Sequence, residues 1–267
     1  MKKTLSLLLV LAMLIPASVT LASDNLTCWF PPGWKDRAIQ AKAITDALSA
    51  KSGLAIRPRI AKSYPEILSA FSGQDANLVY VGSFVQAIVA ARQLGTPLVQ
   101  NADGKELYSG ILIYPQGQDP QAILKNSPAD IAYATGATSG ESSAQAATAG
   151  KAAIGTPNHG AAVNAVKAGK AKAAVVKNFW WDGNQDKFPG MLSYAIPGIS
   201  EQRNPDNVLT ASKAVSKEVA DKVKAAALAS SDAFGANAKM VEFSGDNLAF
   251  SLDLMKRGNI DPLTYSW

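Results

Sequence analysis

The chain has 267 residues, 48% hydrophobic and 18% charged, with 20 Gly and 14 Pro. That balance excludes a disordered, collagen-like or coiled-coil protein and leaves a globular one of one large or two modest domains. The 26 basic residues outnumber the 21 acidic ones too slightly to point to nucleic acid, and with one Cys and one His there is no internal disulfide, no H-x-x-x-H or C-x-x-C metal spacing and no cofactor to expect.

Lys2 and Lys3 precede a continuous apolar stretch from Leu5 to Pro16, shorter than the roughly 20 residues that span a bilayer. Thr20-Leu21-Ala22 then offers a small-residue cleavage site, so residues 1–22 read as a secretory signal and the mature chain begins near Ser23. Cleavage removes two lysines and no acid, taking the formal charge from +5 to +3. A soluble periplasmic or secreted protein is implied. Cys28 falls inside a predicted strand and reads as a small buried hydrophobe.

Asn25 to Phe30 is β-prone, and Asp36 to Lys51 carries Ile39, Ala43, Ala47 and Leu48 at helical spacing. Strands are predicted at Leu54 to Ala61, Asn77 to Gly82 and Pro97 to Gln100, separated by helices at Pro65 to Phe71 and Phe84 to Leu94. The alternation predicts βαβ units and a parallel sheet with helices on both faces. A second unit starts with a strand from Leu107 to Tyr114. It continues through helix Pro120 to Lys125, strand Asp130 to Tyr133, helices Glu141 to Lys151 and Gly160 to Ala168, and strands Ala171 to Val176 and Met191 to Ile196. After a polar, Pro-containing loop and a strand from Val208 to Ala211, the rest reads as helices, Ser216 to Asp232 and Gly245 to Lys256.

Helices alone cannot make a sheet, so the end of the chain is expected to return to the first unit. The predicted organisation is lobe I from residues 23–108 and 208–267, lobe II from 109–207, and hinge strands near 107–114 and 191–211.

No constellation for catalysis stands out. Gly136-Ala137-Thr138-Ser139-Gly140 is not a G-x-S-x-G elbow, and the sole His159 opens a helix after Asn158. The same turn, following a strand and opening a helix, suits an anion: free backbone N–H groups, the positive end of the macrodipole and the hydroxyls of Thr138 and Ser139 converge there. The alternative is that Thr138 or Ser139 only caps its own helix, with Glu141 completing the cap. Aromatics offer a second set of candidates: Trp29, Phe30 and Trp34 end the first strand, where α/β ligands are contacted, and Tyr108 and Tyr114 lie on the first crossing strand. Adjacent Trp180 and Trp181 point different ways, so at least one packs or lies on the interlobe surface. Lys35 and Arg37 either line the cleft or sit on the exposed helix face.

Residues 25 to about 260 resemble the phosphate-, phosphite- and phosphonate-binding periplasmic proteins of ABC importers. The resemblance rests on the first strand with its Pro/Gly loop, on Ala76 to Phe84, on Thr138-Ser139-Gly140, and on Asn158-His159-Gly160 through Val175. It implies the two-lobed α/β periplasmic-binding-protein fold of type 2, with two crossing strands. It also implies a small anionic ligand, a permease in the inner membrane as partner, and a monomer. Ligand roles would fall on Tyr80, Ser83, Thr138, Ser139, Gly140 and His159, with Trp34, Tyr108 and Lys177 as further cleft residues. Two positions depart from the family pattern. Ala137 replaces a serine of the oxyanion turn, and Lys177 stands where relatives that bind amine-bearing phosphonates place acids, so it would repel an ammonium and attract an anion. A substrate-binding protein for import is the expected function. A periplasmic sensor of the same fold, reporting to a membrane partner, and an enzyme using Ser139 and His159 are the alternatives.

Overall fold

The computed structural model describes residues 25–136 and 138–266; the expected signal, residues 1–22, lies outside them. The chain begins with β1 (Asn25–Phe30), a 3-10 turn, α1 (Ala38–Ser52), β2 (Ala55–Ile60), α2 (Tyr64–Ser72), β3 (Asn77–Val81), α3 (Ser83–Ala91) and β4 (Gly95–Asn101). Local chemistry sets these boundaries. Gly53 adopts φ +73° and stops α1 by returning its N–H to Ser49, and the Ser63 hydroxyl accepts from the Glu66 N–H to start α2.

The middle of the chain supplies β5 (Leu107–Tyr108), β6 (Gly110–Pro115), α4 (Pro120–Asn126), β7 (Ile131–Ala134), α5 (Ser139–Thr148), β8 (Ile154–Thr156), α6 (His159–Lys167), β9 (Ala173–Lys177), α7 (Asn178–Asp182) and β10 (Met191–Tyr194). It closes with β11 (Asn204–Pro205), β12 (Val208–Ser212), α8 (Lys217–Leu228), α9 (Ser231–Phe234), β13 (Met240–Glu242) and α10 (Ala249–Arg257). None of the helices among the described residues is long and apolar enough to cross a membrane.

Two large sheets result, one per lobe. The first has the order β13-β4-β12-β3-β1-β2 and the second β10-β6-β9-β7-β8. The expected parallel sheets are in fact mixed. β1 runs parallel to β2 and β3, and β7 to β8 and β9, but β12 is antiparallel to both β3 and β4, and β6 to both β9 and β10. The reason is the path of the chain. β6 and β12 are the first strands met after each crossing between sheets, and each inserts into its sheet pointing back the other way.

The single long strand expected over Leu107 to Tyr114 is broken at Ser109. Its N–H bonds Asn178 Oδ1 at 3.1 Å and its carbonyl accepts from the Asn178 N–H, so the backbone there serves α7 instead of one continuous ladder. On the near side of the break, β5 pairs with β11, Tyr108 facing Asn204, so the two crossing segments are tied to each other. Asn204 is buried, donates to the Tyr108 carbonyl and accepts from Ser251 Oγ at 2.8 Å, which fastens the crossing to α10.

Strand alternation sorts the core into layers. Leu26, Cys28, Phe30, Leu78 and Tyr80 face α1 and α8, while Trp29, Val79 and Val81 face the helices on the other side with Ile67, Phe71 and Phe84. In the second lobe Ala132, Val163, Val176 and Trp181 pack on the α6 face. Cys28 is fully enclosed and burial pushes its thiol upward, consistent with its expected role as a small hydrophobe. Beyond α10 the chain bonds to both lobes: Arg92 donates to the Pro262 carbonyl at 2.8 Å, Asn259 to the Ala149 carbonyl at 3.0 Å, and Tyr265 Oη to Glu141 at 2.8 Å.

Candidate functional site

A cleft of about 480 Å³ lies between the lobes. Trp34, Arg37, Tyr64, Val81, Gly82, Phe84 and Tyr108 line it from the first lobe, and Thr138, Ser139, His159, Lys177, Phe179 and Trp180 from the second. Asp103, Lys105, Asp206 and Asn207 come from the crossing segments. Of the residues expected from sequence, Trp34, Tyr108, Thr138, Ser139, His159 and Lys177 therefore meet in one place, whereas Tyr80, Ser83 and Gly140 are not on its wall.

Each of the three absentees has a local reason. Tyr80 is a core residue, 1% exposed, because alternation along β3 turns it away from the cleft and into edge contact with Trp34 and Phe234 at ring separations of 5.7 and 5.4 Å. Ser83 is fully buried behind the wall, where its hydroxyl shares a 3.0 Å hydrogen bond with Tyr108 Oη. It positions the Tyr108 ring, and burial holds that phenol well above its ordinary pKa despite the bond. Gly140 is a point of close approach: a Cβ there would stand 2.6 Å from the Val175 carbonyl oxygen and 3.3 Å from His159 Cε1. The missing side chain lets the start of α5 settle against β9 and His159.

Thr138 does cap α5. Its Oγ1 accepts from the Glu141 N–H at 3.1 Å and donates to the Ala134 carbonyl, so the hydroxyl is already committed. Ser139 is different: it is 8% exposed, lines the cleft, and its hydroxyl has no hydrogen-bond partner among the described residues. A helix of ten residues thus presents its N-terminus, with one available hydroxyl, to the cleft.

His159 opens α6 behind the Asn158 cap. Its Nδ1 is enclosed and unpartnered, and its pKa is pushed down to about 3 by burial first and by the charge of Lys177 second. The ring is neutral at physiological pH and has one N–H to donate.

Lys177 lines the cleft, but its charge is not free to attract an anion as the sequence suggested. Its ammonium is bound to the Asp206 carboxylate and sits 4.6 Å from the Tyr108 ring centroid and 5.8 Å from that of Phe179. Gly82 makes room for this group, since a Cβ there would lie 3.1 Å from Asp206 Oδ1 and 3.4 Å from the Tyr108 ring.

The tryptophan pair divides as its spacing requires. Trp180 faces the cleft, 5.7 Å from the His159 ring, and Trp181 is 4% exposed and stacks on Phe188 in the core. Trp29 is also a core residue; its indole N–H bonds Asn77 at 3.0 Å. Arg37 reaches the cleft with its guanidinium 5.5 Å from the Trp34 ring centroid.

Sequence reasoning passed over Tyr64, Phe179 and Asp206. Tyr64 is the first residue of α2, with its phenol pushed up to about 12 by burial and by the Asp206 charge. Asp206 lies in the polar loop of the second crossing; the signal that would have flagged it is an acid beside Pro205 where the chain changes lobes. Among the described residues no group of three His, Cys, Asp or Glu converges to hold a metal ion.

The model of one protein family, described as ABC transporter, phosphonate, periplasmic substrate-binding protein, matches residues 35–243. The chain belongs to that family. It is a periplasmic substrate-binding protein of the ABC phosphonate type, with the two-lobed fold that the resemblance implied. Among solved structures it is similar to PhnD1 from Prochlorococcus marinus in complex with methylphosphonate, at 12% identity and a TM-score of 0.65 over 89% of this chain and 99% of that one. It is also similar to a binding protein component of an ABC phosphonate transporter from Pseudomonas aeruginosa, at 13% identity and a TM-score of 0.65 over 88% and 87%. A Xanthomonas citri protein bound to ATP gives a TM-score of 0.67 at 10% identity over 89% and 98%. No curated protein matches this family member at the sequence level.

Proposed function

We propose that this phosphonate-family protein captures a small phosphorus oxyanion of the phosphate, phosphite or phosphonate type in the interlobe cleft and delivers it to an ABC permease. The observation that carries this is the corner where the N-terminus of α5, the available Ser139 hydroxyl and the neutral His159 ring meet on the cleft wall. Backbone N–H groups of a helix start together with one hydroxyl and one imidazole N–H make a set of convergent donors suited to oxyanion oxygens. Methylphosphonate in the PhnD1 complex supports the ligand class.

In this reading the ligand first binds one lobe. The two crossing segments, paired at β5 and β11, then flex, and closure brings Trp34, Tyr64 and Tyr108 over it. Closing expels water and strengthens each hydrogen bond, and the ligand shifts the population only by its differential affinity for the closed form. The closed shape is what the permease recognises. Residues 1–22 serve as the export signal.

The test is a titration of the mature protein with phosphate, phosphite, methylphosphonate and sulfate, followed by melting temperature. A ligand at 100 times its Kd adds about 2.7 kcal/mol. A shift with a phosphorus oxyanion that is lost in Ser139→Asp supports the reading; no shift with any of them refutes it.

A further inference from the structure

An oxyanion of four or five heavy atoms fills only one corner of this cleft. Its volume of about 480 Å³ lies in the range of roughly 300–1,000 Å³ that holds drug-sized organic ligands. We propose that the ligand is an organophosphorus oxyanion whose other end is uncharged and apolar or aromatic, seated against Trp180, Phe179 and Tyr64, and that Lys177 excludes a cationic end by occupying the cation site itself. This rests on the oxyanion reading above and specifies the part of the ligand which that reading leaves open.

The walls around the anion corner are aromatic. Trp180 stands 5.7 Å from the His159 ring on the same cleft wall, so its face adjoins the corner where an oxyanion at His159 and Ser139 would sit. The ring is held from behind by Phe188 at 6.0 Å and is itself only half-buried, as are Phe179 beside it and Tyr64 in the opposite lobe. Partly exposed rings on two facing walls offer apolar faces to a ligand and little to a water-filled space.

The charges around that space oppose a cationic ligand end. A carboxylate flanked by two aromatic rings is the arrangement that holds an ammonium group. Here Asp206, Tyr108 and Phe179 form it, and the Lys177 ammonium already fills it, with side-chain exposures of 23% for Lys177 and 9% for Asp206. A ligand ammonium would have to displace Lys177 and leave it without its partner in a partly desolvated site, which is costly. A neutral end meets no such penalty. The other charged cleft residues, Arg37, Asp103 and Lys105, are exposed.

The experiment is calorimetric titration of the mature protein with methylphosphonate, phenylphosphonate and 2-aminoethylphosphonate, in wild type, Trp180→Ala and Lys177→Met. In wild type, phenylphosphonate is expected to bind about tenfold more tightly than methylphosphonate, and 2-aminoethylphosphonate about tenfold more weakly. Trp180→Ala should cut the phenyl-to-methyl ratio about fivefold, and Lys177→Met should raise 2-aminoethylphosphonate relative to methylphosphonate by a similar factor. The wild-type comparison decides by itself if either variant fails to fold. Methylphosphonate bound as tightly as phenylphosphonate, or 2-aminoethylphosphonate bound as well as either, overturns the inference and leaves the oxyanion reading standing. Binding of none of the three overturns the inference, and the phosphate and phosphite arms of the titration above then decide whether the oxyanion reading stands.

Discussion

Gly136 and Pro65 face each other across the two lobes with no room for a side chain between them. Gly136 sits in the turn between β7 and α5 at φ +93°, and a Cβ placed on it would lie 2.9 Å from Pro65 Cδ and 3.2 Å from Tyr64 Cβ in the first turn of α2. The absent side chain therefore permits both the turn that leads into Ser139 and the approach of the lobe that carries Tyr64. Gly136→Ala should weaken ligand binding about tenfold, because the added methyl holds the lobes apart, and should lose about 1 kcal/mol of ligand-free stability to backbone strain. Gly117→Ala is the control: it has φ +85° with nothing within 4 Å, so it should lose similar stability and no affinity. Equal affinities for the two variants in calorimetry would show that the contact plays no part in closure.

Much of this arrangement was legible in the sequence where the signal is local. The apolar run Asn77 to Val81, the Thr138-Ser139-Gly140 turn and the Asn158 cap each announce an element within a few residues. Alternation along β3 also places Val81 on the cleft side and Tyr80 opposite, so reading Tyr80 as a ligand residue ignored a rule the sequence already obeyed. What stayed hidden is non-local. β8 and β13 have three residues each, too few for a period. The direction of β6 and β12 is set by a chain that leaves one sheet and returns. The Lys177–Asp206 pair joins residues 29 apart through the fold of the second crossing, and Tyr64 faces the cleft only because α2 is docked there.

Removing the Ser139 hydroxyl tests the anion corner directly. Ser139→Ala should cost about 1–3 kcal/mol of binding free energy, the usual loss for a hydrogen bond to a charged group, with the ligand-free melting temperature nearly unchanged because that hydroxyl has no partner among the described residues. Ser139→Asp should abolish binding by like-charge repulsion. Thr138→Ala should behave in the opposite way, losing about 1 kcal/mol of stability with the helix cap while its effect on affinity stays smaller than that of Ser139→Ala. Reversed behaviour of the two positions in paired melting and binding curves would exchange their roles.

His159 predicts a pH dependence with a definite sign. Its pKa is about 3 in the folded chain and 6.5 by ordinary value, so between those limits the unfolded state binds more protons. Stability of the ligand-free protein should therefore fall as pH drops below about 6.5, by up to about 1.4 kcal/mol per pH unit. Glu66, held below its usual range chiefly by the Lys62 backbone N–H, loses its contribution only as pH falls below about 4.5. Denaturant melts between pH 5 and 6.5 thus isolate the histidine. His159→Gln should flatten the slope in that window, and an unchanged slope would place the responsible proton elsewhere.

The position of α5, and with it Ser139, depends on Gly110 at the start of β6. A Cβ there would stand 2.3 Å from Ser143 Oγ and 2.4 Å from Ser143 Cβ, with the Ser139 carbonyl next at 3.3 Å. Since both atoms belong to a buried helix side chain close to its backbone, the helix must move as a body. Gly110→Ala should cost about 1–3 kcal/mol of stability through overpacking, seen as a fall of several degrees in melting temperature, and should lower affinity by displacing the helix start. Ser143→Gly alone costs about 1 kcal/mol for glycine within a helix. The double variant removes the clash and should be more stable than Gly110→Ala, so the two losses are not additive. Additive losses, or full affinity in Gly110→Ala, would mean that α5 is positioned by other contacts and that the anion corner tolerates its displacement.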